Sequence, residues 1–155
     1  MVEEAATDII ALWQAKGIDE PWTHPEFIDA IVSLQQTRER KGARLPDLVQ
    51  FHDRSAVCTA ALADYLRVPR PQNLVKELGR LKTQNVFQRS VLLIKNLGFI
   101  TPTEARRITY EETARLEQIH ERTYRQLGFE IISIGPASVL DRVREINRAL
   151  SLDPT

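Results

Sequence analysis

A single cysteine and three scattered histidines leave this chain of 155 residues without a Cys/His spacing that could frame a zinc site, and one thiol cannot close an internal disulfide. Cys58 lies in the apolar run 57–62 with no basic neighbour in sequence to activate it, which points to a buried, inert thiol. A long hydrophobic run is missing too. Nothing approaches the roughly 20 apolar residues of a bilayer-crossing helix, and the start Met1-Val2-Glu3-Glu4 is acidic where a secretory signal is basic. Net charge is also absent, because 21 basic and 21 acidic residues cancel. No global field draws the chain to nucleic acid or an anionic membrane, so any charged ligand must be held locally. These absences predict a cytoplasmic chain with neither nucleic acid nor membrane as partner. The Ser/His/Asp order of a hydrolase, the metalloprotease helix motif and the EF-hand loop are likewise not found.

What is present suits one compact domain over 1–155, with 43% hydrophobic and 27% charged residues. Over 5–16, Ala6, Ile9, Ile10 and Trp13 recur at helical spacing and Gly17 stands where a helix would stop. Thr23-His24-Pro25-Glu26 reads as a capping box before a second helix that ends near Gly42. The run 48–52 is β-prone and gives way at Asp53-Arg54-Ser55 to a helix over 56–67, which the prolines at 69 and 71 close. A shorter helix is expected over 72–82. Residues 91–94 form a continuous apolar run of strand length, as burial on both faces of a parallel sheet requires.

Thr101-Pro102-Thr103-Glu104 and Thr109-Tyr110-Glu111-Glu112 both carry the capping-box pattern, the second opening a long helix to Leu127. The stretch 102–112 thus reads as a candidate lid. Gly128 ends the long helix, 129–134 reads as a last strand, and Gly135-Pro136 opens a final helix with Val139, Val143, Ile146 and Leu150 facing inward. The tail 151–155 is expected to fray. Strands alternating with helices are the signature of an α/β fold with a mostly parallel sheet.

In such sheets ligands sit beyond the carboxyl ends of strands, which directs attention to Asp53, Arg54 and Ser55. A carboxylate there can hold a magnesium-bound water or accept a proton from an attacking hydroxyl, and a guanidinium can grip phosphate or carboxylate. The same residues also suit a structural role, Asp53 capping the next helix and Arg54 pairing at the surface. Arg106 and Arg107 suit either a flap closing over phosphates or a solvated helix face. His120 and Tyr124, four apart, share a helix face, a spacing that packing alone explains.

Taken in order, Val2-Glu3-Glu4-Ala5-Ala6, Asp53-Arg54-Ser55, Gly98-Phe99, Glu104-Ala105-Arg106-Arg107 and His120-Glu121-Arg122-Thr123-Tyr124 resemble the AAA-type predicted ATPases of bacteria, which are similar to nucleoside and nicotinamide-riboside kinases. The resemblance continues through Phe129-Glu130-Ile131-Ile132 and the helix over 138–150, and so covers nearly the whole chain. It implies a three-layer P-loop-NTPase-like α/β fold acting in phosphoryl transfer from ATP with Mg2+.

By that resemblance Asp53 is the acidic residue near magnesium and the attacking group, touching the metal through water. Arg54 and Ser55 contact the acceptor, Glu4 lines its pocket, Arg106 and Arg107 neutralise the transferring phosphate, and Gly135-Pro136 borders the base. Such chains normally open with a strand, a G-x-x-x-x-G-K-S/T loop and a helix. None of the glycines at 17, 42, 79, 98, 128 and 135 precedes Lys-Ser or Lys-Thr. The first strand and phosphate loop are therefore expected to be missing here, and the chain by itself is expected to be inactive, or to serve as a binding or assembly module. The vacant place in the sheet is expected to be closed either by direct pairing of the strand ending at Asp53 with the strand at 91–94, or by a second copy in a homodimer formed through sheet edges.

Overall fold

The computed structural model describes residues 1–45, 49–96 and 109–151. Among the described residues the protein is α/β, with six α-helices and one parallel two-stranded sheet. The chain divides into two compact units, Met1–Val86 and Phe87–Thr155.

The first unit is helical. Helices α1 (Ala6–Gln14), α2 (Phe27–Gly42), α3 (Ala56–Leu66) and α4 (Gln72–Gln84) surround a core in which Phe27, Ile31, Val32, Val57 and Leu74 are fully buried. Helix α3 is apolar almost all round, and small Ala56, Ala60, Ala61 and Ala63 let it sit in the middle of the unit. Arg67, left-handed at φ 57°, ends it ahead of the prolines. Helix α4 contributes Leu74, Leu78 and Leu81 at positions i, i+4 and i+7. Beside this core runs a polar seam between α2 and α4. Buried Glu77 accepts from Gln36 Nε2 at 3.0 Å and from Arg80, whose guanidinium also reaches Glu39 at 2.6 Å. Burial alone would raise the Glu77 carboxyl, but hydrogen bonds from Arg80 and Gln36 outweigh it and hold the group below its ordinary range.

Two expectations fail in this unit. Thr23 caps no helix. It closes a 3-10 turn at Pro21–Thr23 by donating to the Glu20 carbonyl at 2.8 Å, and α2 starts only at Phe27 without a side-chain cap. Pro21 is buried and Trp13 packs edge-on against His24 and Phe27, so aromatic packing shapes this entry in place of the box. The strand expected over 48–52 reduces, within the described residues, to one parallel bridge, Val2 to His52. Pairing stops there because Ala5 already precedes α1 and Arg54 turns left-handed.

The second unit holds the sheet. Strand β1 (Ser90–Ile94) pairs in parallel with β2 (Glu130–Ile134), Ser90 opposite Glu130 and Ile94 opposite Ile134. Helix α5 (Tyr110–Gln126) lies between them in sequence and opens with the expected reciprocal capping box of Thr109 and Glu112. After it, Gly128 adopts φ 82°, which favours glycine. Tyr124 is buried edge-on against Phe129, and His120 Nδ1 lies 2.8 Å from the Leu116 carbonyl, so this pair serves packing.

Helix α6 (Val139–Leu150) matches the helix expected over 138–150, with Ser138 as its N-cap and Gly135-Pro136 in the connection before it. Its inward face is only partly covered: no residue in it is fully buried, Val139, Leu140 and Val143 are 67%, 69% and 47% exposed, and Ile146 and Leu150 are half-buried. Strand β1 is half-buried where burial on both faces was expected, because among the described residues its one strand neighbour is β2.

Candidate functional site

The backbone first brings the residues around the Val2–His52 bridge of the first unit together. The Val2 amide donates to the Phe51 carbonyl at 2.7 Å and the Asp53 amide to the Val2 carbonyl at 2.8 Å. Glu4, two residues after Val2, is thereby set beside the turn that follows Asp53.

Arg54 occupies the left-handed region at φ 69°, which costs a non-glycine residue about 1–2 kcal/mol. Its Nε donates to Glu4 Oε1 at 2.7 Å, and the Thr7 hydroxyl donates to Glu4 Oε2 at 2.8 Å. With side chains 36% and 25% exposed, the ion pair contributes under about 1 kcal/mol; its consequence is orientation. Ser55 is buried as the N-cap of α3, its hydroxyl accepting from the Val57 amide at 3.2 Å. The capping role weighed for Asp53 thus belongs to Ser55, which leaves Asp53 exposed, with no side-chain partner among the described residues. The neighbouring His52 ring is pushed below its ordinary value by burial, against the pull of the Glu39 carboxylate.

Magnesium keeps several waters and takes one or two protein carboxylates. Asp53 fits such an outer contact, and among the described residues no cluster of three ligating side chains offers a closed metal cage.

The carboxyl ends of β1 and β2 carry a second cluster, absent from the sequence reading. The Lys95 amide donates to the Ile134 carbonyl at 2.9 Å, and its ammonium reaches Glu117 at 2.9 Å and Glu121 at 3.4 Å. The Asn96 amide takes the other Glu117 oxygen at 3.3 Å, and Arg125 takes the other Glu121 oxygen at 2.8 Å. The hydrogen bond to Glu117 raises Lys95 above its ordinary value, and the one from Arg125 lowers Glu121. Each carboxylate oxygen has a donor, so the cluster is a closed strap. A lysine directly after the apolar run 91–94 was the available signal.

Gly135 and Pro136 follow β2, and a Cβ at Gly135 would meet nothing within 4 Å, so packing does not require glycine there. Arg106 and Arg107 lie outside the described residues. So does the candidate lid at 102–112 as far as residue 108; residues 109–112 form the cap and first turn of α5.

Six helices and a parallel strand pair among the described residues make this an α/β protein, with titratable side chains standing together between the Val2–His52 bridge and α3. A protein-family model described as AAA domain matches residues 1–142, and the chain belongs to that family, which is of the P-loop NTPase type. Neither the curated proteins nor the solved structures yield a match. Among the described residues no helix is long and apolar enough to cross a membrane.

Proposed function

We propose that the chain supplies the acceptor side of a nucleotide-linked phosphotransferase or ATPase of the kinase-like P-loop class. The observation that carries this reading is the Glu4–Arg54 ion pair fixed beside the exposed Asp53 carboxylate, just past the Val2–His52 bridge. In this reading Asp53 receives the proton of an attacking hydroxyl and orients it, Arg54 holds the acceptor, Glu4 fixes Arg54, and Ser55, buried as the cap of α3, supports the turn from beneath. Mg2+ would be held by Asp53 through water and by the phosphates of ATP, where it supplies charge neutralisation. Arg106 and Arg107 are proposed to meet the transferring phosphate, Gly135 and Pro136 to border the base, and the strands to belong to a three-layer sheet in a cytoplasmic protein.

The 155 residues contain no G-x-x-x-x-G-K-S/T loop, so the chain by itself is expected to release no phosphate from Mg-ATP with a panel of nucleosides. Turnover abolished by Asp53→Asn would contradict that expectation. Acceptor binding is tested by calorimetric titration of the same panel: a nucleoside whose affinity falls at least about tenfold in Arg54→Gln supports the reading. Equal affinity in both proteins, or no binding, counts against it.

A second reading, a binding or assembly module working as a homodimer, is favoured by the exposed apolar residues of α6 and by the half-buried β1. Size-exclusion chromatography with light scattering decides it: a stable monomer at micromolar concentration would contradict it.

A further inference from the structure

We infer that Arg38, on α2, is the positioning residue of the site past the Val2–His52 bridge, acting through Glu4 on Arg54. Its guanidinium donates to the carbonyl oxygens of Glu3, at 3.2 Å, and of Glu4, and it pairs with the Asp8 carboxylate in the first turn of α1. One planar group with a fork of five donors therefore joins the segment leaving the Val2 bridge to the start of α1. Glu4 lies between those two anchors. Its carboxylate in turn meets Arg54 Nε and the Thr7 hydroxyl. The chain of contacts runs from α2 through Arg38 and the Glu4 backbone to the Glu4 carboxylate and Arg54.

The same helix grips the site a second time one turn on. The side-chain Nε2 of Gln50 donates to the Gly42 carbonyl, and a Cβ at Gly42 would lie 2.8 Å from Gln50 Oε1 and 3.0 Å from Val2 Cγ2. Helix α2 thus holds both partners of the Val2–His52 bridge region, at Gly42 from the His52 side and at Arg38 from the Glu4 side. A lysine at position 38 offers one point charge and cannot bond two carbonyls and a carboxylate in the same plane.

As a role in acceptor binding, this inference rests on the proposed function; as geometry, it is tested without any ligand. Solvent exchange of the Arg54 Nε–H is measured by 15N NMR, with Arg80 Nε–H, bonded to Glu77 at 3.1 Å, as internal control. In Arg38→Met, Arg54 exchange is expected to quicken about threefold, within what the weakening of a part-exposed ion pair allows, while Arg80 stays unchanged. In Asp8→Asn, which leaves the backbone contacts, the increase is expected to be smaller. Unchanged Arg54 exchange, or equal acceleration at Arg54 and Arg80, would show Arg38 to be ordinary scaffold and overturn the inference. If Arg38→Met does not fold, Arg38→Lys is read by the same two rates. Quickened Arg54 exchange in Arg38→Met together with no nucleoside binding by the parent protein would support the inference as geometry and count against the proposed function alone.

Discussion

In the unit Met1–Val86, helices α2, α3 and α4 bury their apolar faces within one core, whereas in Phe87–Thr155 helix α6 carries an equally clear apolar stripe of which Ile146 and Leu150 are half-buried and Val139, Leu140 and Val143 are exposed. The difference teaches that periodicity announces a face without naming what covers it. In the first unit, the small residues of α3 and the leucines of α4 supply the cover. In the second, two half-buried strands offer too little surface to do so.

This contrast can be broken most strongly at Phe27. Phe27→Ala is expected to cost about 3–5 kcal/mol in urea unfolding, because a fully buried ring leaves a cavity. A cost near zero would remove the distinction between the units.

The next largest effect belongs to the polar seam. Arg80→Met leaves the Glu77 carboxylate buried without its strongest donor and is expected to cost about 1–3 kcal/mol. Since Glu77 is held below its ordinary value of 4.5, its contribution is complete above that pH and is lost as pH falls through the lower folded value. Unfolding midpoints between pH 6 and pH 3 should therefore fall less steeply in Glu77→Gln than in the parent protein.

A smaller step is expected from His52. With its folded value depressed below 6.5, the unfolded chain takes up the proton first, so stability declines as pH drops from the ordinary value through the folded one. His52→Gln should flatten that decline, and an identical pH profile would count against the burial of the ring. The smallest effect is expected at α6, where Leu140→Ser should change monomer stability by no more than about 0.5 kcal/mol. A larger loss would mean that the stripe is covered in solution.

Much of this architecture was legible from local signals. The helices at 6–14, 56–66 and 110–126 were marked by periodicity, by the prolines after Arg67 and by the Thr109 capping box, all forces acting within a few residues. The strand at 48–52 and the cap at Thr23 were misread because distant partners decide them, the short Val2 segment in one case and the Trp13 ring in the other. In the site, Asp53 and Arg54 were singled out by their place before a helix start and Glu4 by the resemblance alone, while the ion pair between Arg54 and Glu4 joins residues 50 apart in sequence, which no local signal announces. Arg38 and Lys95 were not, since a lone basic residue on a helix or after a strand looks like solvated surface until its carbonyl and carboxylate partners are seen.

The central claim, that Glu4, Asp53 and Arg54 form an acceptor pocket, is met most directly by following the backbone amides of the 15N-labelled protein during titration with a panel of nucleosides. The account predicts saturable shifts concentrated at Glu4 and at Asp53 to Ser55, lost in Asp53→Asn with the remaining spectrum intact. Saturable shifts that avoid these residues, or no shifts with any nucleoside at millimolar concentration, would contradict it.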